Sequence, residues 1–255
     1  MIIDVHMHYG FLFFPIKLFK VEDMISKMDK FGIDMGMVSN LRGIFYDFRQ
    51  CNSELRDAIA PYPDRLKGYI VVNPNYPEES LRQIEEFSRL PQFVGVKLHA
   101  SWHNRPIDGE EFDPLFKMCE KLGLPVLVHS YVADDRADQV SCPERIANAA
   151  ARHDIPVILA HMGGNAVRTA KAIKDIKNIC VDISTGRERA AQLYVWNLGR
   201  IDDCVREIGA ERVLFGSDMP VIDPAVSMGM LEDSQISARE KELIMYKNAE
   251  RIFGI

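Results

Sequence analysis

Eight short apolar runs, separated from one another by longer stretches, many of helical period, constrain this chain more than any other feature. In order they are "MIIDVH", "GIDMGMVS", "LKGYIVV", "FVGVKLH", "PVLVHS", "IPVILAH", "NICVDIS" and "RVLFGSD". Several intervening segments, such as "VEDMISKMDKFG", "EESLRQIEEFSRL", "EEFDPLFKMCEKLG" and "CPERIANAAARHD", carry apolar residues at helical spacing, and Gly123 reads as a helix stop. Runs that are apolar almost throughout are buried on both faces, as strands of a parallel sheet wrapped by helices are. Eight such strand and helix units in 255 residues match a single-domain α/β fold, the (β/α)8 TIM barrel, spanning 1–255. An open doubly wound sheet fits less well, because no GxGxxG turn follows the first run. The tail "SAREKELIMYKNAERIFGI" reads as one or two helices packed on the barrel.

Polar residues then matter by position. In such a barrel, reactive side chains come from the C-terminal strand ends and the loops that follow. His6 and His8 end the first run, His99 the fourth, His129 the fifth and His161 the sixth, while Asp218 ends the eighth. Five of the seven histidines therefore fall at one end of the inferred barrel. Strict strand alternation places Asp4, His6 and His8 on one face and Ile3, Val5 and Met7 on the other. His103 follows strand four, and His153, near a helix end, reads as a solvated surface residue.

Neutral imidazoles with one carboxylate are the donor set of Zn²⁺ or a neighbouring divalent ion, whereas Mg²⁺ and Ca²⁺ call for oxygen donors. A catalytic site keeps one coordination position open for water, whose pKa falls to about 7 in the best zinc cases. Lys97 lies on the fourth run in phase with His99 and, read from the residues, is a buried ion-pair partner, for example of Asp4 or another inward carboxylate.

The motifs "IIDVHMH", "GVKLHA", "VLVHS", "LAHMGG" and "LFGSDMP", in that order, resemble the amidohydrolase superfamily. Within it they resemble the amidohydrolase-2 branch of metal-dependent hydrolases and aminocarboxymuconate-semialdehyde-decarboxylase-like proteins. The resemblance covers nearly the whole chain. It implies that His6, His8, His129 and Asp218 bind one divalent ion, zinc first and Mn²⁺ or Fe²⁺ as alternatives. His161 would stand beside the activated water and Asp218 would shuttle a proton. A two-metal arrangement bridged by Lys97 is the lesser alternative, since Lys97 lies one pleat deeper than His99.

Around this centre, His99, Arg42, His103, Tyr131 and Asn165 are the candidate substrate contacts, with the arginine suited to a carboxylate. The apolar stretch "YGFLFFPIKLFK" reads as a lid, a cover of the barrel mouth or a homodimer contact. The first functional expectation is a hydrolase of an amide, ester or lactone of a small substrate. The alternatives are a non-oxidative decarboxylase of an unsaturated or aromatic acid, and an inactive ligand-binding barrel. Nucleic acid is not an expected partner, because the net charge is −6 and no basic block occurs. Five widely spaced cysteines without a CxxC pair suit a reducing cytoplasm, and no signal peptide or membrane span is expected.

Overall fold

The computed structural model describes residues 1–10, 20–131, 135–184 and 200–255. The apolar stretch at 11–19, including Phe11, Phe13 and Phe14, lies outside them. Eight parallel strands follow in sequence order around one sheet, which establishes the single-domain barrel. They are β1 (Ile3–Tyr9), β2 (Met35–Asn40), β3 (Leu66–Val71), β4 (Phe93–Leu98), β5 (Val126–Val128), β6 (Val157–Leu159), β7 (Ile179–Asp182) and β8 (Val213–Leu214). Closure runs through the segment after β8: the Val5 amide donates to the Phe215 carbonyl at 3.0 Å, and the Asp218 amide to the His6 carbonyl at 2.8 Å.

The helical segments form where their apolar period and caps predict. Val21–Phe31 ends on Gly32 and Asp113–Leu122 on Gly123, both glycines in the left-handed conformation at φ 65° and 66°. Met24, Met28, Leu115 and Phe116 of these helices belong to one buried cluster with outward strand residues such as Val38, Val126, Val157 and Val181. A second cluster fills the barrel itself with Ile3, Val5, Met37, Tyr69, Leu127, Ile158, Cys180 and Leu214. At the N-terminal strand ends the last helix, Asn248–Phe253, closes this interior with Ala249, Ile252 and Phe253. Its Asn248 side chain donates to the Ala210 and Val213 carbonyls, both at 2.8 Å.

Strand β1 departs from strict alternation. Its pairing with β2 slips by one residue between Asp4 and Met7. Ile3 and Val5 consequently join the barrel interior, whereas Met7 joins the outer layer. This slip corrects the expected facing of Ile3 and Val5, and it brings interior apolar residues and His6 and His8 onto the inward face of one strand. The Val5 carbonyl at the slip accepts a 2.9 Å hydrogen bond from the buried Tyr69 hydroxyl. We predict that Tyr69→Phe, which leaves this carbonyl without the phenol, lowers stability by about 1–2 kcal/mol. A urea midpoint equal to that of the wild type would show that the bond contributes nothing.

All five cysteines are buried free thiols. No helix among the described residues is long and apolar enough to cross a membrane.

Candidate metal centre

The C-terminal strand ends deliver a ring of polar side chains. His6 and His8 come from β1, Lys97 from β4, His99 and His129 from the residues directly after β4 and β5, and Asp182 from the end of β7. His161 lies in the turn Ala160–Gly164 after β6, and Asp218 follows β8. His6, His8, Lys97, His161, Asp182 and Asp218 are buried, while His99 and His129 are half-buried.

His6 is held on both ring nitrogens. Its Nδ1 lies 2.9 Å from Asp182 Oδ2 and 3.1 Å from Ser184 Oγ. A carboxylate accepts only, so Nδ1 carries the proton and Nε2 presents a lone pair, which Lys97 Nζ meets at 3.0 Å. This is the carboxylate and imidazole arrangement that orients a metal-binding histidine. The other oxygen of Asp182 accepts from the backbone amides of His161 and Ser184, each at 3.0 Å, and from the Ser184 hydroxyl. Ser184 Oγ is also 2.9 Å from His161 Nδ1, so one carboxylate and one hydroxyl orient two imidazoles.

His8 bridges the opposite side, with Nδ1 2.8 Å from Ser39 Oγ and Nε2 2.9 Å from Asp218 Oδ1. The same carboxylate oxygen is 3.7 Å from His6 Nε2. His161 Nε2 lies 3.2 Å from His129 Nδ1, and the His129 ring stacks on His99 with centroids 3.9 Å apart. Donor atoms of His6, His161 and Asp218 lie within 4.8 Å of one another, close enough to share one ion.

The electrostatics favour the neutral, donor forms of the rings. Burial, then the Lys97 charge, pushes His6 well below the usual histidine range, and the same causes bring His129 down to about 3. His161 is likewise pushed well below, first by burial and then by His6. Burial also brings Lys97 down to about 8 and raises Asp218 against the pull of His8. Neutral imidazoles around a carboxylate thus fit a divalent ion in this barrel.

The backbone here is unusual. His161, Met162 and Asp218 sit in the left-handed region at φ 61°, 45° and 65°. For such residues this conformation persists only where surrounding structure imposes it, and it concentrates at functional sites. Gly216 is required by close approach, since a Cβ there would lie 3.1 Å from His6 Cβ and 3.2 Å from the Asp182 side chain.

The remaining sequence candidates are placed differently. Arg42 is exposed and pairs with Glu54 at 2.9 Å. Asn165 is exposed and accepts from the Arg168 amide at 3.0 Å, capping the helix Ala166–Ile173. Tyr131 is buried, its ring centroid 5.9 Å from that of His161. His103 is buried too, and burial brings it down to about 4. His153, expected on the surface, is instead buried against Phe116, with Asp113 and Glu120 each 3.5 Å from its ring nitrogens. Lys97 meets His6 rather than Asp4, whose Oδ1 accepts from the His6 and Ser217 amides at 3.1 and 3.0 Å. Sequence reasoning did not single out Asp182, Ser184 or Ser39. Their signal was a polar residue at or just past the end of an apolar run, the same signal that marked the histidines.

The chain is 22% identical over 248 residues to the gamma-resorcylate decarboxylase of Polaromonas sp. strain JS666, covering 81% of this chain and 76% of that protein. A dihydroxybenzoic acid decarboxylase structure from Polaromonas sp. JS666, with bound manganese and the inhibitor 2-nitroresorcinol, superposes with a TM-score of 0.77. That match is 17% identical and covers 99% of this chain and 96% of the other. A structure described as a probable 2-pyrone-4,6-dicarboxylic acid hydrolase from Acinetobacter baumannii, with citric acid bound, also gives a TM-score of 0.77 at 17% identity. It covers 100% of this chain and 99% of its own. The two structures establish shared fold, whereas the amidohydrolase family model matches residues 3–255, and on that match the chain belongs to the amidohydrolase-2 family.

Proposed function

We propose that this protein is a divalent-ion-dependent, non-oxidative decarboxylase of a small aromatic or unsaturated acid. The observation that carries the reading is the aligned relative, a gamma-resorcylate decarboxylase, which moves decarboxylation ahead of the hydrolysis first expected from the sequence. In this reading His6, His8, His129 and Asp218 hold the ion, and His161 stands beside it for proton transfer. Bound there, the ion supplies a Lewis acid that anchors and polarises substrate oxygens.

The chain's own residues perform the rest. We assign Asp218, whose Oδ1 lies 2.9 Å from His8 Nε2, delivery of a proton to the carbon bearing the leaving carboxylate. A C–H bond forms, the C–C bond to the carboxylate breaks, its electron pair restores the unsaturated system, and CO2 departs. His161, held at Nδ1 by Ser184 at 2.9 Å, is the imidazole partner of Asp218 in this proton transfer.

The test is turnover in D2O of hydroxybenzoates and unsaturated acids labelled with ¹³C at the carboxyl, using protein loaded with Mn²⁺ or Zn²⁺. We expect labelled CO2 and one deuterium on the carbon that lost it. A product with water added across an amide, ester or lactone bond would assign hydrolysis instead, and no turnover across the panel would overturn the decarboxylase reading.

A further inference from the structure

We propose that Lys97 competes with the divalent ion for His6 and thereby sets how tightly the centre binds metal. The inference rests on the reading that an ion binds at His6, and deepens it. Lys97 is 1% exposed. It pairs in register with Leu127, which pairs with Ile158, which pairs with Cys180. That interior row lies one layer below His129 and Asp182, so the long side chain rises from the floor of the site toward the imidazoles.

His6 Nδ1 is committed to Asp182 at 2.9 Å, which leaves Nε2 as the only nitrogen that can face an ion. Lys97 Nζ points an N–H at that same lone pair from 3.0 Å. One lone pair serves one partner, so ion binding and the lysine bond exclude each other. Loading the centre must break a buried hydrogen bond and bring a second positive group beside the ammonium at low dielectric. Before the ion arrives, the lysine has a constructive effect: by donating to Nε2 it favours the His6 tautomer that an ion requires.

Lys97 therefore lowers affinity while keeping the ligand oriented. Its removal raises affinity, because the competing donor and the competing charge disappear together while Asp182, 2.9 Å from His6 Nδ1, still fixes the tautomer.

The experiment is competition with a chromophoric chelator for Mn²⁺ or Zn²⁺, on the wild type, Lys97→Met and Lys97→Arg, with near-UV circular dichroism to verify folding. Lys97→Met is expected to bind about 10- to 100-fold more tightly, the scale of one hydrogen bond to a charged group. Lys97→Arg keeps a charge and a donor and is expected to show no such gain. Equal binding by Lys97→Met overturns the competition, and weaker binding shows that Lys97 is itself a ligand.

If the methionine variant fails to fold, the wild type carries the test through the ¹⁵N-labelled Lys97 Nζ signal, which is expected to shift when the ion binds. An unmoved signal overturns the proposal. Binding by the wild type without a gain in Lys97→Met defeats this inference alone, whereas absence of binding in every protein defeats the metal reading with it.

Discussion

Replacing Asp218 by asparagine will strip the barrel of its divalent ion and, with it, of turnover. The carboxylate oxygen that His8 Nε2 meets at 2.9 Å also lies 3.7 Å from His6 Nε2, so one charge serves both histidines of β1. Asparagine is the informative substitution. Asp218 sits at φ 65°, which asparagine tolerates better than most residues, so the variant removes charge without forcing the backbone to move. Losing an outer partner of a metal ligand typically costs about 10- to 100-fold in affinity, and losing a direct anionic ligand is expected to exceed that range. Elemental analysis after dialysis, beside a wild type carrying roughly one ion per chain as a mononuclear site implies, reads the result. Full ion content in Asp218→Asn would remove Asp218 from the ligand set and leave it a proton carrier only.

Much of this centre was legible because a parallel barrel sends strand ends to one mouth. Once "PVLVHS" and "ILAHMGG" were read as buried strands, His129 and His161 had to converge with His6 and His8. Asp182 closes "NICVDIS" by the same logic, yet a lone aspartate is common at strand ends, and its partnership with His6 across 176 positions has no local signature. The β1 slip was hidden for a related reason. Alternation in "IIDVHMH" is a property of one strand, whereas a bulge is a property of its pairing with β2. His153 was misplaced because sequence shows its polarity but not the Phe116 ring that covers it. Arg42 illustrates the converse: a cation in the short helix Leu41–Phe45 after β2 finds Glu54 on the following helix.

Replacing His161 by asparagine will leave the ion in place and lower turnover by about 10²- to 10⁴-fold, the usual contribution of a positioned acid or base. The structure sets two roles against each other here. His161 shares with His6 and Asp218 a cluster of donor atoms within 4.8 Å, which would suit a ligand. Its Nδ1, however, is engaged by Ser184 at 2.9 Å and its Nε2 faces His129 at 3.2 Å, so the ring is built into a chain of hydrogen bonds of the kind that moves protons. The backbone supports this second role. Its amide is tied to Asp182 at 3.0 Å, and at φ 61° the residue is held in a conformation that asparagine can also adopt, so the variant tests the imidazole rather than the turn. Ion content and turnover measured on the same sample separate the roles. Retained ion with lost turnover assigns proton transfer to His161. Loss of ion together with turnover makes it a ligand, and the proton must then be handled by Asp218 without an imidazole partner, which would predict a single ionisation rather than two in the dependence of turnover on pH.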